Sequence, residues 1–246
     1  MSLPYQMPVL LYHRVVNNAS IIGKHKLHVW EDQFRKQMQW LKDNNYQTIT
    51  FRDLASGQNI NSTKKQIILT FDDGYDDNYN ILFPILKEYG FTAVIFLVTA
   101  CKQNDWSIAQ GEPAINLMTA AEIKEMDGYG IEFGGHTQKH IDLKHASVAQ
   151  QEKEITGCYK DLEQLLGKKP VSFSYPYGAY KEETTELVER AGFNYAVTTI
   201  FGPDDYSDDL LCIRRLEVRP HSGLYNFKRK ASGRYLQTNF FTFLFT

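Results

Sequence analysis

Residues 67–75 constrain this chain more than any other stretch. An apolar, β-branched run, Ile67, Ile68, Leu69, Thr70 and Phe71, breaks off into Asp72, Asp73, Gly74 and Tyr75. Such a run reads as a buried strand of a parallel sheet. Two adjacent carboxylates at its end are costly unless positive charge sits beside them. A divalent metal meets that need and lets the two aspartates divide the work, one as a ligand and the other as a free base. Further ligands are then required elsewhere in the chain.

Residues 131–140 supply them. Ile131, Glu132 and Phe133 form a short strand, a glycine pair follows, and then come His136 and His140. A spacing of four predicts both histidines on one face of a helical turn, close enough to grip one ion. A third strand, 172–175, ends in a rigid turn, Pro176-Tyr177-Gly178. In α/β barrels, sites are built at the C-terminal ends of strands, where all three segments place their polar residues.

These segments resemble a known motif set. Thr-Phe-Asp-Asp-Gly (70–74), His-Thr-Gln-Lys-His (136–140) and Tyr-Pro-Tyr-Gly (175–178), in this order, look like the polysaccharide deacetylases, carbohydrate esterase family four. The opening Pro8-Val9-Leu10-Leu11-Tyr12-His13-Arg14 is similar to the branch that deacetylates N-acetylglucosamine polymers of biofilms and cell envelopes. The resemblance runs from about residue 8 to about residue 220.

The chain has 246 residues and 43% hydrophobic content, enough for one barrel-sized domain. We take 1–246 as a single catalytic domain, with a core of about 8–220 and a C-terminal extension, 221–246. A net charge of −2 without a basic block argues against nucleic acid; Lys228-Arg229-Lys230 reads as a solvated run. Three widely spaced cysteines, Cys101, Cys158 and Cys212, suggest neither a disulfide framework nor a cysteine zinc site. No stretch is long and apolar enough to span a membrane. No signal peptide is visible, and Met1-Ser2-Leu3 reads as a cloning remnant, so removal of an export signal stays open. The apolar end, 239–246, reads as a packed last strand or a surface anchor.

Strand and helix patterns alternate with short connections. Strands are predicted at 9–12, 46–50, 67–71, 93–98, 131–133, 172–175, 195–199 and 212–218, and helices at 31–44, 76–89, 119–128, 147–166 and 182–191. Thr119 and Glu122 form a capping box; Pro84 marks a start or kink. Residues 15–29 read as a polar loop, with His25 and His28 at the surface or rim. Residues 101–117 read as a long loop lining a groove or as a disordered surface loop. The pattern is α/β with a parallel sheet, and a barrel is favoured over an open sheet. The family's irregular, about seven-stranded β/α barrel fits this count.

The resemblance implies roles. Asp73, His136 and His140 bind the metal, most simply zinc, with nickel, cobalt or manganese also compatible. Asp72 is the base, and the backbone N–H of Tyr177 stabilises the oxyanion, in a turn rigidified by Pro176. An EF-hand reading of 72–78 fails on ligand positions. Two departures stand out. The family's late Leu-x-His acid is missing; His13 takes its place, with His221 as second choice. Ser174 stands where many members have an arginine against the catalytic aspartate, so Arg214 or Arg215 replaces it. Tyr75, Trp106, Tyr175 and Tyr177 are candidates for stacking on sugars.

The implied function is metal-dependent removal of N-acetyl groups from an N-acetylhexosamine polysaccharide or glycan precursor, in an envelope or extracellular setting, with a cytoplasmic one left open. The rival readings are a glycan-binding barrel without catalysis and an amide hydrolase for small molecules. The partner is a carbohydrate substrate; oligomeric state is not read from the sequence.

Overall fold

The computed structural model describes residues 7–57, 63–199 and 209–233. The apolar end, 239–246, lies outside the described residues. The first half of the chain runs β1 (Val9–Tyr12), β2 (Arg14–Val16), β3 (His28–Trp30), α1 (Glu31–Asp43), β4 (Tyr46–Thr48), α2 (Phe51–Ser56), β5 (Lys65–Phe71), α3 (Phe83–Tyr89), β6 (Val94–Leu97) and α4 (Asp105–Ile108). Then follow α5 (Ala120–Tyr129), β7 (Glu132–Gly135), α6 (Val148–Leu166), β8 (Ser172–Ser174), α7 (Glu182–Ala191), β9 (Tyr195–Thr198), β10 (Ile213–Arg214), β11 (Leu216–Glu217) and α8 (Gly223–Ala231).

Eight strands form one parallel path in the order β10-β9-β8-β7-β6-β5-β1-β11, with β4 beside β5. Only Arg215 separates β10 from β11, yet β10 pairs with β9 and β11 with β1. One residue therefore joins the two edges, and the sheet is a nearly closed β/α barrel. Counted as one extended segment, β10 and β11 make the path seven-stranded, in line with the family pattern.

Period-two alternation sorts the strand residues. Ile67, Leu69 and Phe71 pack outward with Phe34, Met38 and Leu41 of α1, whereas Ile68 packs inward with Val9, Val94, Phe96, Val197 and Ile213. Phe51 and Leu54 of α2 join this inner cluster. Burial on both faces explains why the strands read as continuous apolar runs. In β7 the glycine pair is a packing requirement. A Cβ on Gly134 would fall 2.6 Å from Phe96 and Ser172, and one on Gly135 about 3 Å from Phe193, Cys158 and Phe173.

Several expectations are corrected. Residues 15–29 are not all loop: Arg14–Val16 pairs in parallel with His28–Trp30, and Val15, Val16 and Val29 are buried. The helix expected at 76–89 divides into a π-helical turn, Asn78–Leu82, and α3, with Pro84 near the start of α3. The 101–117 segment is ordered: it contains α4 and bridges back through Gln103 to Asn116 and Leu117 to Tyr75. The Thr119–Glu122 capping box forms, and its helix ends at Gly130 rather than Gly128. Phe227 of α8 packs edge-on against Trp40 of α1. Lys230, on the run expected to be solvated, is partly buried and donates to the Glu217 carbonyl.

Candidate metal centre and active site

The alternation that buries Ile68 inside the barrel also turns Thr70 and Asp72 inward at the C-terminal end of β5. By the same count Val9 leads to His13, Gly134 to His136, Ser172 to Ser174, and Ile213 to Arg215. Residues far apart in sequence thus meet at one end of the barrel.

Arg215, 1% exposed, forms a fork on Asp72: Nη1 donates to Oδ1 and Nη2 to Oδ2, each at 2.7 Å. It also donates to Thr70 Oγ1 at 3.0 Å and Ser174 Oγ at 2.9 Å, and Ser174 donates to Asp72 Oδ2 at 3.3 Å. Of the two arginines proposed from the sequence, Arg215 is the one on Asp72. Burial pushes the Asp72 carboxyl up, but Arg215, helped by His136 and His13, outweighs it and holds the group below the usual carboxylate range.

Asp73, His136 and His140 are all buried, and their ligand atoms lie within 4.8 Å of one another. His136 Nε2 and His140 Nε2 lie 3.5 and 3.3 Å from Asp73 Oδ1. His136 Nδ1 is 2.7 Å from the Ser174 carbonyl oxygen, which assigns the proton to Nδ1 and leaves the Nε2 lone pair facing Asp73. Asp73 Oδ1 and His140 Nδ1 have no hydrogen-bond partner among the described residues. A buried carboxylate oxygen without a donor, with two imidazole nitrogens converging on it, is an arrangement that a cation completes. One carboxylate and two imidazoles suit a divalent ion with open coordination positions. Burial raises the Asp73 carboxyl, yet the two imidazoles outweigh it and hold it well below its usual range. Burial lowers His140, whereas for His136 the facing aspartates outweigh burial and raise it.

The histidines do not share a helical turn, as their spacing predicted. Thr137 and His140 take left-handed backbone angles, φ 63° and 55°, and the chain bends twice to bring the rings 4.8 Å apart. Asp73 and Tyr177 are also left-handed, φ 78° and 60°, so strained backbone concentrates at this end of the barrel. Helix α6 braces the histidine loop. Glu154 Oε2 accepts the N–H groups of Gln138 and Lys139 at 3.0 and 2.8 Å, and Asp161 accepts from Gln138 and Thr99. The sequence reading missed both carboxylates. Their signal is a pair of acids on the face of α6 that buries Ile155, Cys158 and Leu162.

A cavity of about 400 Å³ opens over this centre, lined by His13, Asp72, Asp73, His136, His140 and Tyr177 among others. Trp106 stacks on His140 at 4.6 Å and 19°, and Tyr177 meets the same ring edge-on at 4.6 Å. Tyr75 and Trp106 line the cavity, and Tyr177 is 51% exposed there. Tyr175, also expected to contact substrate, is fully buried between Phe173 and Tyr180, because alternation turns it away from the barrel interior. Pro176 is buried and opens the turn that carries Tyr177. His28, expected at the surface or rim, is buried and lines the cavity; His25 lies at its rim. His221 is exposed and outside the cavity lining, whereas His13 is part of it.

The family model for polysaccharide deacetylase matches residues 59–196. A Bacillus subtilis protein, YxkH, named for the same family, is 33% identical over 219 residues, covering 88% of this chain and 73% of its own length. The poly-beta-1,6-N-acetyl-D-glucosamine N-deacetylase of Staphylococcus aureus is 26% identical over 177 residues, 68% of this chain and 59% of the relative. The Streptococcus pyogenes deacetylase PplD, solved in complex with acetate, superposes with a TM-score of 0.76 at 28% identity, over 93% of this chain and 99% of that one. The chain belongs to the polysaccharide deacetylase family.

Proposed function

We propose that this chain is a metal-dependent hydrolase that removes N-acetyl groups from an N-acetylhexosamine in a polysaccharide or glycan precursor, acting as a single catalytic domain. The observation that carries the reading is the juxtaposition of two different aspartates: Asp73, short of partners and faced by His136 and His140, and Asp72, held ionised by Arg215. Asp73, His136 and His140 hold the ion, zinc by preference, with nickel, cobalt or manganese as alternatives. Bound there, a divalent cation supplies positive charge that polarises the acetyl carbonyl and acidifies the attacking water, so that a weak base such as Asp72 suffices.

Asp72 takes the proton of that water. The Tyr177 backbone N–H, in the turn fixed by Pro176, donates to the oxyanion as the carbonyl carbon becomes tetrahedral. His13, in the cavity lining, protonates the amine nitrogen as it leaves. An envelope or extracellular setting fits such a substrate, and the poly-N-acetylglucosamine acted on by the S. aureus relative supports it.

The test is acetate release from N-acetylglucosamine oligomers by the metal-loaded chain, the chelated chain, and the Asp72→Asn and His13→Ala variants. Metal-dependent release is expected, with losses of roughly 10²–10⁴-fold in each variant. Release unchanged in Asp72→Asn overturns the reading.

A further inference from the structure

Two segments distant in sequence meet beside the catalytic cavity at one carboxylate. Glu112, from the 101–117 segment, has a side chain only 7% exposed. It accepts the Lys24 N–H on both oxygens at 2.9 Å and the His25 N–H on Oε1 at 3.1 Å. His25 Nε2 stands 3.5 Å from the same oxygen. Gly23 permits this seating, since a Cβ there would fall 1.8 Å from Glu112 Oε2.

Both partners of this latch are held independently of it. Arg14 donates to the Ile21 carbonyl at 2.8 Å and is fixed by a buried ion pair with Asp77 at 2.6 Å, which ties the 17–27 loop to β2. Asn104 accepts from the Ile115 N–H at 2.7 Å and donates to the Pro113 carbonyl at 2.9 Å, which shapes the segment around Glu112. Gly23, His25 and Leu27 from one loop, and Trp106, Gln110 and Glu112 from the other, line the same cavity. The latch therefore makes them one continuous wall. A cavity of about 400 Å³ is at the small end of ligand pockets, which span roughly 300–1,000 Å³. It suits one or two sugar rings, with the two latched loops standing along one side.

We infer that Glu112 is a specificity-determining residue whose latch on Lys24 and His25 walls one side of the site, so that the substrate enters as the end of an N-acetylhexosamine chain or as a short oligomer. The inference rests on the deacetylase reading and narrows its substrate class.

The experiment uses end-labelled N-acetylglucosamine oligomers of one to six residues, with the deacetylated position mapped by mass spectrometry. The metal-loaded wild type is compared with Glu112→Ala and Glu112→Gln, and thermal melts check folding of both variants. Wild type is expected to act on a terminal residue, with kcat/KM levelling off after two rings. Glu112→Ala is expected to raise KM about tenfold, more than it changes kcat, and to release interior acetyl groups. Glu112→Gln, which keeps one acceptor oxygen, falls between. Wild-type release from interior and terminal residues alike, or a position pattern and KM unchanged in Glu112→Ala, overturns the latch while leaving the deacetylase reading intact. No release from any oligomer, with no binding of them to Asp72→Asn by calorimetry, overturns both.

Discussion

The fork between Arg215 and Asp72 is the most sharply testable feature of the fold. Arg215→Met keeps an unbranched stem and removes the guanidinium. It leaves the Asp72 carboxylate, 2% exposed, with Ser174 at 3.3 Å as its one side-chain hydrogen bond among the described residues. Removing one partner of a buried pair costs about 3–5 kcal/mol, because the other charge stays desolvated and unpaired. For a domain of this size that is a fall in Tm of roughly 6–20 °C. Adding Asp72→Asn removes the stranded charge, so the double variant is expected to recover at least about 1 kcal/mol over Arg215→Met alone. Urea unfolding with a chelator present isolates this term from any loss of metal. Destabilisation under about 1 kcal/mol, or a double variant no more stable than the single, refutes the reasoning.

Two further outcomes follow from buried carboxylates away from Asp72 and Asp73. Glu154→Ala frees the N–H groups of Gln138 and Lys139 and loosens the left-handed loop between His136 and His140. Chelator competition is expected to show zinc affinity lowered about 10–100-fold, and unchanged affinity counts against the bracing role. Glu132, buried and accepting from Ser172 and the Arg52 N–H, is pushed above its ordinary 4.5 by burial. The folded state then holds its proton more tightly than the unfolded chain, so its contribution falls as pH rises from 4.5 through the folded-state pKa. Glu132→Gln is expected to gain stability relative to wild type over that interval, and a pH-independent difference between the two melts would count against it.

What was legible in the sequence is what local chemistry encodes. The run Ile67 to Phe71 announces a strand buried on both faces because parallel sheets leave no solvated side. Thr119 and Glu122 announce a helix start because the capping box is satisfied within four residues. Asp73 and His136 were legible because each sits just past a strand end, where alternation and topology agree, and His140 because its spacing from His136 brings it back to the same place. What depends on partners distant in the chain was not. Val15 and Val16 find their strand partner only across the 17–27 loop. The spacing of His136 and His140 encodes nearness, but the left-handed turns that realise it are braced by Glu154 from α6. Choosing between Arg214 and Arg215, or seeing that Tyr175 faces away while Tyr177 faces the cavity, turns on a one-residue register.

The replacement at Ser174 then has a physical account. In the family pattern many members carry an arginine at this position, in contact with the aspartate. Here a hydroxyl occupies it, small enough to leave room for a guanidinium arriving from across the barrel, and it accepts from that guanidinium while donating to Asp72. The incoming arginine is the residue at which the chain leaves the β9 edge and joins the β1 edge. Its remaining bonds span that junction, to the Thr198 carbonyl on β9 and to Thr70 Oγ1 on β5, whose hydroxyl donates to the Leu10 carbonyl on β1. Two-residue strands pair too briefly to close a barrel firmly by backbone bonds alone. The charge that keeps Asp72 ionised therefore also pins the closing joint of the sheet, and the charge state of Asp72 and the barrel's closure depend on the same side chain.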